Sequence, residues 1–169
     1  MLRPMREIMS GEYYIYRNGA FIGQKQVLLN EDILGIKLEI QVYFADAERK
    51  IDAYYGKEKN LLSFCIEELI GGYRTVIDYK IGESENIRIN NDVIIDEVFF
   101  ACCPKILRDE HMYDVLNTND NSFYKLRLFK KTKNKYNILV PTYAYLEYDD
   151  DGLLGYMEDF IEGIQIMRQ

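Results

Sequence analysis

Two tyrosine-rich apolar runs, 13–17 and 20–28, are separated only by Asn18-Gly19. A type I′ turn needs a positive φ at both central residues, and Asn followed by Gly adopts that pair at the least steric cost. The runs are therefore predicted to fold back on each other as an antiparallel hairpin. Arg17 then faces Ala20, Tyr16 faces Phe21 and Ile15 faces Ile22. This register puts an aromatic pair on one face and an aliphatic pair on the other. Asp151-Gly152 repeats the turn signal towards the other end of the chain. A chain that opens and closes in hairpins points to antiparallel β structure.

The segments between these hairpins keep a two-residue rhythm with frequent turn residues. Gly35–Phe44 alternates, with Ile36, Leu38, Ile40 and Val42 on one face and Lys37, Glu39, Gln41 and Tyr43 on the other. Arg49–Tyr55 reads as a further strand. Leu61–Ile70 fits either a buried strand or a short helix, because Leu62, Ile66, Leu69 and Ile70 also suit a helical face. Gly71-Gly72 ends it. Tyr73–Ile81 alternates again, and Ile87–Ile89 with Val93–Ile95 suggests a second compact hairpin. Asp96–Leu107 breaks the rhythm and contains Pro104, which argues against a central strand there. Asp109–Leu116 suits one or two helical turns, so helix is expected only between Asp96 and Asn117. Asn117–Ser122 is a loop of residues that bond their own backbone. Phe123–Phe129 and Tyr136–Tyr148 are strands around a lysine-rich loop, the second with a bulge at Pro141. Phe160–Met167 is expected to pair back onto the sheet. The predicted fold is mainly β: a single-domain antiparallel β-roll or open barrel over residues 1–169, with little helix. It has about ten strands spaced about 8–12 residues apart. Residues 1–10 are expected to form a flexible N-terminal segment.

Charge and composition restrict the function. Net charge is −7 and the isoelectric point lies near 4.9. Such a surface repels phosphate backbones, so nucleic acid is not an expected partner. The one basic run, Lys130-Lys131-Thr132-Lys133-Asn134-Lys135, reads as a solvated hairpin loop. At 169 residues the chain can bury about 70% of its unfolded surface and needs no disulfide or metal to fold. Its first residues lack the apolar core of a secretory signal. No stretch approaches the roughly 20 apolar residues of a transmembrane helix. Three cysteines, Cys65, Cys102 and Cys103, do not make a disulfide framework and suit a reducing cytoplasm. Fifteen tyrosines accompany plentiful isoleucine, asparagine and lysine, a composition that biased codon usage produces. The tyrosines therefore do not by themselves indicate a sugar-stacking surface.

Several residue groups invite a chemical reading. Cys102, Cys103 and His111, with Cys65 as a fourth, raise the question of a metal. Structural zinc sites space their cysteines so that both thiolates face one ion, whereas adjacent residues of an extended chain point to opposite faces. Buried thiols beside Phe99 and Phe100 are the better reading, with neither metal nor disulfide expected. A cysteine nucleophile with His111 lacks a local signature. Asp149-Asp150-Asp151-Gly152 lacks the full ligand set of a calcium loop and sits between alternating segments, so a hairpin turn is expected. The chain has no Gly-x-Ser-x-Gly, Walker or Gly-x-Gly-x-x-Gly motif. Paired carboxylates such as Glu67-Glu68 and Asp96-Glu97 read as acidic surface. No catalytic residue, cofactor or metal ligand is assigned.

Two stretches resemble a known family. Glu147-Tyr148-Asp149-Asp150-Asp151-Gly152-Leu153-Leu154-Gly155-Tyr156 is similar to the closing hairpin of bacterial spiral β-rolls described as glycolipid-binding proteins. Gly72-Tyr73-Arg74-Thr75 resembles an aromatic-Arg-Thr strand start in the same family. The Asn-Thr-Leu-Pro-Ile-Arg-Arg type of segment is not present. The nearest stretch is Cys103-Pro104-Lys105-Ile106-Leu107-Arg108, so no binding residue carries over. The resemblance implies a roll fold and an amphipathic ligand. Three readings follow. The first is a non-catalytic protein holding an apolar or amphipathic small molecule in a β-roll groove. The second is an interaction module using an exposed edge strand or apolar patch. The third is a hydrolase using acidic groove residues.

Overall fold

The computed structural model describes residues 7–80, 94–97, 101, 112–118, 120 and 122–169. Among the described residues thirteen strands form one sheet. They are β1 (Glu7–Arg17), β2 (Ala20–Glu31), β3 (Gly35–Phe44), β4 (Ala47–Gly56), β5 (Leu61–Ile70), β6 (Tyr73–Lys80), β7 (Ile94–Ile95), β8 (Met112–Leu116), β9 (Phe123–Thr132), β10 (Lys135–Val140), β11 (Ala144–Tyr148), β12 (Leu154–Asp159) and β13 (Ile164–Arg168). The spatial order is β6-β5-β4-β3-β2-β1-β13-β12-β11-β10-β9-β8-β7. The first and last long strands thus meet in the middle, where Tyr13 faces Arg168 and Arg17 faces Ile164. Every neighbouring pair is antiparallel except β7 and β8, which run parallel. The sheet does not close into a barrel, because its order ends in β6 on one side and β7 on the other.

The opening hairpin follows its turn chemistry. Asn18 and Gly19 have φ of 49° and 79°. Arg17 faces Ala20 and Tyr16 faces Phe21 as predicted. Ile15, however, faces Gly23 rather than Ile22, because the register shifts by a bulge between Ile15 and Tyr16. The extra residue keeps Ile15 in the core and leaves Ile22 half-buried. A side chain built at Gly19 would meet nothing within 4 Å, so only its backbone conformation restricts the residue there. Gly19→Val is expected to cost about 1 kcal/mol or more in denaturant unfolding. Wild-type stability in that variant would contradict the turn assignment.

Other elements refine the sequence reading. Leu61–Ile70 is a strand, with Leu61, Phe64 and Ile66 buried. Met112–Leu116 is also a strand and not helical turns, because Tyr113 and Val115 alternate into the core opposite Leu126 and Tyr124. Tyr136–Tyr148 is two strands rather than one. Pro141-Thr142-Tyr143 forms the turn between β10 and β11 instead of a bulge, and the peptide bond before Pro141 is cis. The lysine-rich run is mostly strand, with only Lys133-Asn134 at the turn. Asp149–Leu153 is a five-residue loop rather than a two-residue turn. Asp149 N–H donates to Leu153 O at 2.9 Å, and Gly152 has φ of 86°. Phe160–Met167 pairs back as expected, through β13. Residues 7–10, expected within a flexible N-terminal segment, belong to β1 and pair with β2 instead. The hairpin expected over Ile87–Ile95 lies outside the described residues apart from its end. There, Ile94-Ile95 pairs with β8. Asp96, Glu97 and Ala101 are the helical residues among those described.

One face of the sheet carries the core. Leu29, Leu38, Ile40, Ile51, Tyr55, Ile95, Val115, Ile138 and Leu146 are essentially inaccessible. The sheet rolls this face onto itself. Tyr55 on β4 accepts a hydrogen bond from Ile95 N–H on β7 at 3.3 Å, and Arg49 on β4 donates to Thr118 just after β8 at 3.3 Å. Two halves of one sheet therefore cover each other's apolar face, which is how a meander without helices buries its core.

Candidate functional site: a polar centre below an apolar mouth

Antiparallel order sends alternate turns to the same end of the roll. One end collects Asn18-Gly19, Ala45-Asp46, Gly71-Gly72, Asn117–Ser122, Pro141–Tyr143 and Phe160–Gly163. These turns bond to one another. Asn18 N–H donates to Gly163 O at 2.8 Å, Phe160 N–H to Tyr143 O at 3.0 Å and Gly71 N–H to Asp46 O at 3.4 Å.

The apolar rows of the inner face run past the packed core to this end. Along β3 the buried row Leu38, Ile40, Val42 continues as Phe44, which is 41% exposed. Along β5 the row Phe64, Ile66 continues through Glu68 to Ile70, 48% exposed, and Ile70 faces Tyr73 across the turn, 82% exposed. Phe160 and Tyr143 meet at 5.4 Å between ring centroids in the neighbouring turns, next to the inward pair Ala144 and Asp159, whereas Phe21 packs edge-on against Tyr14 and Tyr16 on the outer face. Isolated exposed apolar residues are ordinary, whereas Phe44, Ile70 and Tyr73 lie together at the end of the inward rows of β3, β5 and β6.

Below this mouth the inner face turns polar. Lys25 occupies the inward row Gly23, Lys25, Val27, Leu29 of β2 and is 3% exposed. Its Nζ lies 2.6 Å from Glu97 Oε2. Asp96 is buried beside that pair. Its carboxylate accepts from Glu97 N–H at 2.7 Å and from Thr118 N–H at 3.3 Å. Burial, reinforced by the Glu97 charge, raises its pKa to about 6 against the help of the Glu97 and Thr118 donors. Tyr124 faces the buried Val115 across β8 and β9, and burial first, then the Asp96 and Glu97 charges, push its hydroxyl pKa up. Arg49 completes the centre. Its Nε and Nη2 donate to Glu68 Oε2 at 3.2 and 3.1 Å, and its Nη1 to Thr118 Oγ1. These bonds tie β2, β4 and β5 to the segment around β7 and β8. Asp96 uses its carboxylate to hold two backbone N–H groups, a structural assignment.

The sequence reading missed these residues. Asp96-Glu97 reads as acidic surface, whereas the structure buries Asp96 and pairs Glu97 with a buried lysine. The available signal is the parity of Lys25, a charged residue in an otherwise apolar row. Glu67-Glu68 divides between faces as strand neighbours must. Glu68 turns inward to Arg49, while Glu67 turns outward to Arg74 at 2.7 Å.

The remaining candidates fall elsewhere. Cys102, Cys103 and His111 lie outside the described residues. Cys65 is half-buried on the outer face, in an open hollow of about 270 Å³ that Asp52 and Asp78 also line. Burial first, then the Asp78, Glu67 and Asp52 charges, push its thiol pKa up, the reverse of what a reactive thiolate needs. Among the described residues no three histidine, cysteine or acidic side chains are placed to hold a metal ion. The Asp149-Asp150-Asp151 run binds side chains instead. Arg168 reaches Asp149 Oδ2 at 2.8 Å, Asp151 Oδ2 at 2.7 Å and the Ser10 carbonyl at 2.8 Å, and Asp150 accepts from Asn134 at 3.2 Å. This guanidinium clamp pins the loop to β1 and β13. No helix among the described residues is long and apolar enough to cross a membrane.

No known protein family, curated protein or solved structure matches the chain.

Proposed function

We propose that this protein is a non-catalytic binding protein that takes an apolar or amphipathic small molecule at the open mouth of the roll. The observation that carries this reading is the continuation of two inward core rows into uncovered side chains, Phe44 on β3 and Ile70 with Tyr73 at the β5–β6 turn. An alkyl or similar apolar moiety would bury these side chains, at a gain of about 25 cal/mol per Å². Arg49 and Glu68, half-buried on the inward face of β4 and β5 behind them, would meet hydroxyl or other polar groups of the same molecule. A sugar-bearing lipid has both parts, which is the ligand class that the β-roll resemblance implies. Apolar walls with a few placed polar groups are the usual make-up of small-molecule sites.

Titration with octyl glucoside below its micelle concentration, followed by NMR, tests the reading. Saturable shifts are expected at Phe44, Ile70 and Tyr73. The Phe44→Ser, Ile70→Ser double variant is expected to bind at least about tenfold more weakly while keeping its fold, since both side chains are already exposed. Non-saturable shifts spread over the whole surface would refute the site.

A further inference from the structure

We propose that two copies of this chain associate through the outer edges of their β6 strands, antiparallel about a two-fold axis beside Val76. Among the described residues β6 ends the sheet order and is bonded to β5 along one side. Its side chains stand well out of the protein: Arg74 is 65% and Val76 54% exposed. A strand edge of this length, with backbone donors and acceptors on its far side, is a template for strand addition.

The sequence of β6 selects both partner and register. A two-fold axis normal to the sheet keeps the outer face outward in both copies, so residues opposite one another must share a face. Arg74, Val76, Asp78 and Lys80 share the outer face, as the outward Arg74–Glu67 pair and the hollow lined by Asp78 and Lys80 show. An axis beside Val76 sets Arg74 of each copy opposite Asp78 of the other and brings the two Val76 side chains together. Thr75 then faces Ile77 on the inner side. The contact contains two opposite-charge pairs flanking an apolar one, and each is a stabilising cross-strand pair. Moving the axis one residue to Ile77 sets Arg74 opposite Lys80, a like-charge pair. Moving it to Thr75 sets Arg74 opposite Val76 and leaves Asp78 beyond the strand facing Gly72. An axis beside Tyr79 would also set Asp78 opposite Lys80, but it overlaps only residues 78–80 of the strand, whereas the Val76 axis overlaps residues 73–79 and is complementary in charge to itself. The edge therefore fits a second copy of this chain. In that contact Arg74 keeps Glu67 on its own sheet and gains a second carboxylate across the axis.

Sedimentation equilibrium of the full chain over a concentration series tests this, with circular dichroism as the check on folding. The wild type is expected to dimerise below about 100 µM. Arg74→Asp and Asp78→Arg, each alone, place like charges opposite each other twice and are expected to weaken the dimer at least about tenfold. The double variant R74D/D78R restores both pairs with their signs exchanged and is expected to recover the dimer. A wild type that stays monomeric at that concentration overturns the proposal, as does a dimer indifferent to both single changes. Loss of the dimer in the single variants without recovery in the double variant would overturn the register and with it the two-fold pairing at Val76.

Discussion

Lys25→Ala is expected to lower stability by about 3–5 kcal/mol. Lys25 is 3% exposed and its Nζ sits 2.6 Å from Glu97 Oε2, with Asp96 buried next in the chain. Removing the ammonium leaves a largely buried carboxylate beside a second one with no opposing charge. Coulombic attraction in such a site offsets desolvation only while both partners are present, so truncating one costs far more than the pair contributes. The same argument predicts the rescue. Lys25→Met combined with Glu97→Leu removes both charges and keeps comparable volume, and it is expected to return close to wild-type stability. Denaturant unfolding of the two single variants and the double variant measures the coupling directly. A Lys25→Ala cost below about 1 kcal/mol, the size of an exposed pair, would show that Lys25 and Glu97 are solvated in the folded protein.

Asp96 gives the second large effect, through pH. Its pKa rises from 3.8 to about 6 on folding, mainly because burial disfavours the charged form. The folded state therefore holds the proton more tightly than the unfolded state. The stabilisation is fully present below about pH 4 and is lost as pH rises through about 6. A shift of this size corresponds to a contribution of at most about 3 kcal/mol. Asp96→Asn removes the titrating group and keeps one oxygen to accept from Thr118 or Glu97. The difference in unfolding free energy between variant and wild type is expected to move in the variant's favour by up to about 3 kcal/mol between pH 4 and 7. Parallel stability–pH curves for the two proteins would mean that folding leaves the Asp96 pKa unchanged.

The two predictions bear on the same part of the molecule as the proposed ligand site. The polar centre closes the roll by joining β2, β4 and β5 to the segment around β7 and β8, and the apolar mouth opens beside it. Burying charge there costs stability that an apolar core would not. Such a centre also fixes one alignment of the two halves of the sheet, since displacing either half would strand Lys25, Asp96 or Arg49 away from its partner.

Local chemistry decided much of this fold before any long-range contact. Asn18-Gly19 determined the first hairpin, because few residue pairs adopt two positive φ values at so little cost. Alternation determined β3, whose buried row Ile36, Leu38, Ile40 and Val42 is the one its sequence predicts. Where local signals conflict, packing decided. Leu61–Ile70 and Met112–Leu116 are compatible with helix in isolation, yet each is a strand because neighbouring strands supply its backbone partners. Pro141 marks an interruption in sequence, but only the pairing of β10 with β11 makes it a turn rather than a bulge. The candidate site was least legible. Asp96-Glu97 looks like any acidic surface until the roll brings Lys25 from about seventy residues away to meet it. Which carboxylates lie inside, and which apolar side chains stay uncovered at the mouth, depends on where a curled sheet stops covering itself, a property of the whole sheet that no local pattern encodes.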